Sequence, residues 1–264
     1  MSQVIVVTSG KGGVGKTAFS ANIGAGLAKL GHKVVLVDAD IGLRNLDIAL
    51  GLENRVVYDL VDVINNECSL ETALLKEKHF ANLFLLPASQ MRERDVVSAE
   101  QLQDLCESLK EDFEYIIVDC PTGIDNGFRN AIRCADRAIV VTTPEAAAIR
   151  DADRVIGILE NYGITDCALA INRIYPELVK NGEMPGIDSI ISKLNIDLIG
   201  VIPEDTEVIV TANKGEPVIT NTKSLAGLAF ENISRRLAGE NVPLTEFKRS
   251  AFRRKTKVKR AKKR

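Results

Sequence analysis

Two groups of residues in this sequence are placed to handle phosphate and a hard metal ion. The first is the run Gly10-Lys11-Gly12-Gly13-Val14-Gly15-Lys16-Thr17, which fits the pattern Gly-x-x-x-x-Gly-Lys-[Ser/Thr]. Its glycines accept backbone torsions that a side chain would forbid, and they let the backbone come close to an anion. Successive N–H groups can then point into one concave nest at the start of a helix. Lys16 is placed to neutralise β- and γ-phosphates, and the Thr17 hydroxyl to ligate Mg²⁺. The second group is a set of carboxylates that follow apolar runs: Asp38 and Asp40 after Val34–Val37, and Asp119 after Tyr115–Val118. Asp119 reads as a Walker B aspartate that holds Mg²⁺ directly or through water, since this cation favours hard oxygen ligands and keeps several waters.

These residues need a scaffold that gathers strand ends. Short apolar runs occur at Val4–Val7, Val34–Val37, Tyr115–Val118, Ala138–Val141, Ala168–Ile171 and Leu198–Ile202. Each is apolar throughout, as suits strands covered on both faces of a parallel sheet. Helical periodicity lies between them, at about 17–30, 98–110, 145–161 and 222–238. The alternation predicts an α/β fold, a single doubly wound and mostly parallel sheet flanked by helices, of the P-loop NTPase type. Such sheets bind ligands at the carboxyl ends of their strands, where the glycine loop, Asp38, Asp40 and Asp119 all fall. The stretch from Asn45 to about Asn82 has helical patches and is expected to decorate the core.

The 264 residues divide into one domain, 1–240, and a tail, 241–264. Hydrophobic residues make up 45% and charged residues 27%, which is ordinary for a globular chain. No apolar stretch reaches the roughly 18 residues of a spanning helix, and no leader pattern opens the sequence, so a cytoplasmic location is expected. Cysteines stand at 68, 106, 120, 134 and 167. The odd count and the lack of a Cys-x-x-Cys argue against a disulfide framework or a zinc site, and free thiols are expected. The net charge of -2 hides an asymmetry: residues 244–264 hold eleven Lys/Arg and one acid, leaving 23 basic and 35 acidic residues elsewhere. A basic tail on an acidic body points to an anionic partner.

The segment Lys11–Thr17 resembles the deviant Walker A motif, Lys-Gly-Gly-x-Gly-Lys-[Ser/Thr], of the ParA/MinD family, a SIMIBI-type group of P-loop ATPases. The resemblance implies Mg²⁺-dependent ATP hydrolysis, with ATP held by Lys11, Gly12, Gly13, Val14, Gly15, Lys16, Thr17 and Ala18. It implies that Lys11 reaches across a nucleotide-sandwich homodimer to the partner's ATP, supplying charge as an arginine finger does. Asp40 resembles the residue that positions the attacking water, and Asp38 a neighbour that organises the Mg²⁺ shell. Gly123 resembles the switch glycine whose N–H senses the γ-phosphate. Asn172 and Pro203 resemble the two elements that contact adenine. The implied catalytic set is Lys11, Lys16 and Asp40, and the implied metal set is Thr17, Asp38, Asp40 and Asp119. Simpler roles stay open: an Asn at a strand end often only forms a turn, and Asp38 or Asp40 could cap a loop. Ala18 departs from the pattern. Many members carry Thr or Ser there, where a hydroxyl can touch the α-phosphate, so weaker nucleotide binding is implied.

Further stretches resemble the MinD branch of that family: 40–47 (Asp-Ile-Gly-Leu-Arg-Asn-Leu-Asp), 55–59, 86–90, 150–154 and 201–205. This implies an ATP-bound dimer lying peripherally on the cytoplasmic face of the cell membrane, recruiting a MinC-like division inhibitor. A MinE-like or other regulator would stimulate hydrolysis. The tail is where the resemblance weakens. On a helical wheel Leu244, Phe247, Ala251 and Val258 fall within about 100°, with Phe252 outside that stripe and Arg254 inside it. Attraction to anionic lipids, about 1 kcal/mol per Lys or Arg, then outweighs the burial of one Phe, about 1.5–3 kcal/mol. Weak, salt-sensitive binding that improves in a dimer is expected. The alternative is a ParA-type partition or polar-localisation ATPase whose tail binds DNA phosphates. With aromatics only at Phe247 and Phe252, nucleic acid is the less favoured partner. An iron-protein-like role would need a cluster ligand from Cys120 or Cys134, whose positions do not match that pattern.

Overall fold

The computed structural model describes residues 2–92 and 96–244. Its strands are β1 (Gln3–Thr8), β2 (Val34–Asp38), β3 (Leu75–Lys76), β4 (Leu83–Leu86), β5 (Tyr115–Asp119), β6 (Arg137–Thr142), β7 (Cys167–Ile174) and β8 (Asp197–Pro203). They form one sheet in the order β3-β4-β2-β5-β1-β6-β7-β8. Every neighbouring pair is parallel except the short β3 against β4. The helices are α1 (Lys16–Lys29), α2 (Leu46–Ala49), α3 (Leu60–Ile64), α4 (Leu70–Ala73), α5 (Ala99–Leu109), α6 (Asn126–Ala131), α7 (Ala146–Asn161), α8 (Pro176–Lys180), α9 (Ile187–Leu194), α10 (Thr206–Ala212) and α11 (Leu225–Leu237).

Successive side chains of a strand point to opposite faces, so a strand covered on both sides feeds two cores. Val4, Val6, Val35, Val37, Ile116 and Val118 pack with Leu102 and Leu105 of α5, Phe128 of α6 and Val155 of α7. Their neighbours Ile5, Val7, Val34, Leu36 and Ile117 pack with Phe19 and Ile23 of α1 and with Phe230 and Ile233 of α11. The sheet is therefore buried between two helical layers, and only its strand ends are open to a ligand.

The six expected strands and four expected helices are present, with ends displaced by a few residues. The stretch 45–82 does more than decorate: it holds α2, α3 and α4 and supplies β3, which edges the sheet beside β4. Strand β4 and helices α8–α10 are further elements that the sequence reading does not name. All five cysteines are free thiols. No described helix is long and apolar enough to cross a membrane. Leu244 is exposed, and the rest of the expected amphipathic stripe, with Phe252 and Arg254, lies outside the described residues.

Candidate nucleotide-binding site

The glycine loop leaves the sheet at its centre, because β1 lies between β5 and β6. Gly13 and Gly15 take φ of +80° and +92°, the left-handed region that favours glycine. A Cβ placed on Gly12 or Gly13 would meet nothing within 4 Å, so this rim faces open space. Gly10 is the reverse case: a Cβ there would collide with the backbone of Asp151 in α7. The loop is thus braced at its start and open where an anion would enter. Asn172 braces its far end, donating from Nδ2 to the Val14 carbonyl at 2.7 Å while its Oδ1 accepts from Arg173 N at 3.0 Å. The β7–β8 register shifts between Ile171 and Ile174, and such an irregularity re-aims a side chain.

Asp119 ends β5 beside the loop and collects three donors. Lys16 Nζ lies 3.2 Å away, Thr17 Oγ1 2.7 Å and Ser20 Oγ 2.8 Å. Burial works against the Lys16 charge, yet its surroundings, Asp119 foremost, hold its pKa above the ordinary lysine value. Asp38 faces Asp119 across the β2–β5 ladder. Its carboxylate accepts from Asp40 N at 3.0 Å and Leu46 N at 3.2 Å. Burial, then the charge of Asp119, pushes its pKa up to about 7 against those hydrogen bonds. Asp40 is also buried.

The donor set fits a magnesium nucleotide. Hydroxyl and carboxylate oxygens meet at Thr17 and Asp119, a buried ammonium stands beside them, and the space over Gly12 and Gly13 is free. Among the described residues no three acidic, His or Cys side chains form a metal cage. Mg²⁺ does not require one, since it binds through one or two protein oxygens together with phosphate and water. Thr17 and Asp119 would hold it, with Asp38 and Asp40 behind them. The bound ion supplies charge neutralisation between phosphate oxygens. Lys16 would exchange its contact with Asp119 for phosphate.

The remaining site residues lie around this centre. Ala18, Asn172 and Pro203 line one narrow cleft with Gly15, Val208 and Ile209. The small Ala18 side chain leaves that cleft open. Gly123, φ +94°, occupies the loop between β5 and α6, and a Cβ there would meet nothing within 4 Å. Lys11 does not enter the centre. Its Nζ pairs with Glu145 Oε2 at 2.8 Å, and the two side chains are 42% and 61% exposed. A larger cavity of about 590 Å³, lined by Arg133, Asp136, Tyr162 and Asp166, opens at the amino ends of β6 and β7, away from the site.

Comparison with known proteins agrees with this geometry. The model of the ParA family, described as NUBPL iron-transfer P-loop NTPase, matches residues 1–238. The septum site-determining protein MinD of Synechocystis sp. is 54% identical over 248 residues, covering 94% of this chain and 93% of the relative. The chain belongs to the MinD branch of the ParA family. As a member of the MinD branch it is a P-loop ATPase. A MinC:MinD cell division protein complex from Aquifex aeolicus superposes with a TM-score of 0.88 at 46% identity, covering 94% of this chain and all of that one. A MinD from Pyrococcus horikoshii complexed with Mg-ADP superposes with a TM-score of 0.82 at 29% identity, covering 92% and 100%.

Two residues of the site escaped the sequence reading. Ser20 lies one turn beyond Lys16 on α1, a spacing that shares a face, but its partner is 99 positions away. Glu145 is an unremarkable acid in sequence, and only the fold sets it against Lys11.

Proposed function

We propose that this chain is an ATP-gated dimerising switch that positions the division septum. With ATP bound, two copies close face to face, lie on the cytoplasmic face of the cell membrane and recruit a MinC-like division inhibitor. A MinE-like or other regulator then triggers hydrolysis and release. The observation that carries this reading is the contrast between two lysines of one loop. Lys16 is buried against Asp119, whereas Lys11 stands at the surface, paired among the described residues with the exposed Glu145. An exposed ion pair is worth about 0–1 kcal/mol, so Lys11 is readily transferred to a partner's phosphates. In this scheme Asp40 positions the attacking water and Gly123 reports the γ-phosphate to α6. The Aquifex complex of MinC with MinD and the Pyrococcus MinD with Mg-ADP support MinC as partner and a magnesium nucleotide as ligand.

The test is size-exclusion chromatography with light scattering in Mg-ATP. The intact chain should dimerise, Asp40→Ala should accumulate dimer because hydrolysis fails, and Lys11→Ala should stay monomeric. A Lys11→Ala chain that dimerises like the parent refutes the scheme. Sedimentation with anionic vesicles, run beside a duplex-DNA arm, tests the tail. Binding to DNA alone would move the chain to the partition class.

A further inference from the structure

We infer that Ser20 is a positioning residue for Asp119, holding that carboxylate in the orientation that Mg²⁺ requires. Three donors reach Asp119, and they differ in what they can do when a magnesium nucleotide arrives. Lys16 and Thr17 open α1 at the rim of the loop, so both are within reach of phosphate and metal. Each is expected to leave Asp119 for the ligand. Ser20 is one turn deeper, with no exposed surface. It cannot reach the nucleotide and has no reason to move.

Its hydroxyl carries one proton and two acceptors lie near: Asp119 Oδ1 at 2.8 Å and the Lys16 carbonyl at 3.2 Å. The shorter bond is also the charge-assisted one and is the stronger. Ser20 therefore occupies Oδ1 and leaves Oδ2, now held by Thr17, facing the metal side. This is the role that partners of metal-ligating groups play: they orient the ligand, and their loss commonly costs about 10–100-fold in metal affinity or activity. Without the hydroxyl, Oδ1 loses the donor that stays when Lys16 leaves for phosphate, and Asp119 is free to turn from the metal side, since a buried carboxylate oxygen seeks another donor.

This inference rests on Asp119 as the magnesium-side carboxylate. The test compares the intact chain with Ser20→Ala, using a fluorescent ADP analogue titrated with MgCl₂, and the same analogue in EDTA. The expected result is a Mg²⁺ midpoint raised about 10-fold in the variant. Its affinity in EDTA and its nucleotide-free melting temperature should stay close to those of the parent. A midpoint within twofold of the parent overturns the inference. So does an equal loss of affinity in Mg²⁺ and EDTA, which would mark a merely structural hydroxyl. If the parent itself binds the analogue equally with and without Mg²⁺, the metal reading of Asp119 falls and the role of Ser20 with it.

Discussion

Gly10→Ala and Gly12→Ala, two positions apart in one loop, should fail in opposite ways. At Gly10 the new Cβ would stand 2.7 Å from Asp151 Cβ and closer still to that residue's backbone. Ordinary contact begins near 3.4 Å, so loop and α7 must part by about 1 Å to clear that backbone. Neither side is the flexible tip of a side chain. Overpacking of this kind costs about 1–3 kcal/mol. In a domain of this size each kcal/mol is about 2–4 °C, so the nucleotide-free melting temperature should fall by roughly 2–12 °C. At Gly12 the methyl meets nothing, and the nucleotide-free chain should melt within about a degree of the parent. The methyl does occupy space that phosphate needs. Ligand at 100 times Kd stabilises the parent by about 2.7 kcal/mol, or roughly 5–11 °C. Gly12→Ala should lose most of that rise. Scanning fluorimetry with and without Mg-ADP measures both quantities. The reasoning is refuted if Gly10→Ala melts with the parent, or if Gly12→Ala loses intrinsic stability while keeping the ligand-induced rise.

Other consequences are equally open to measurement. Glu145→Gln frees Lys11 from its exposed pair, so ATP-driven dimerisation should strengthen by up to about fivefold; unchanged or weaker dimers would show that the pair does not restrain the loop. The folded pKa of Asp38, about 7, lies above the usual carboxylate range, so the native chain binds more protons than the unfolded one between pH 4 and 7. This contribution to stability is present at low pH and lost as pH rises through that window. Nucleotide-free melting curves of Asp38→Asn should lack that slope, and an identical slope would assign it elsewhere. Asp205 behaves oppositely. Burial raises its pKa, but Glu207 N, Ser224 Oγ and the backbone at Ala226 and Leu225 outweigh it and leave the value low. Its stabilisation is present above the usual carboxylate pKa and lost as pH falls through the folded value. Asp205→Ala weakens the amino ends of both α10 and α11 and should cost about 1–4 kcal/mol at neutral pH, shrinking in acid.

The phosphate loop, the carboxylate strand ends and the sheet that carries them were legible in the amino-acid order, because their signals are local. Glycine spacing sets loop torsions, and an unbroken apolar run marks a strand buried on both faces. Helices α8–α10 were not read, since helices this short owe much of their stability to what they pack against. Nor could any local pattern place Ser20 on Asp119, Asn172 on the Val14 carbonyl, or Glu145 on Lys11. Those partners are 99, 158 and 134 positions apart. What joins them is the pairing of β1 with β5 and β6 and the irregular end of β7. Chemistry confined to one turn of chain is written in neighbouring residues, whereas the aim of a side chain across the sheet is settled only when strands choose their neighbours and register.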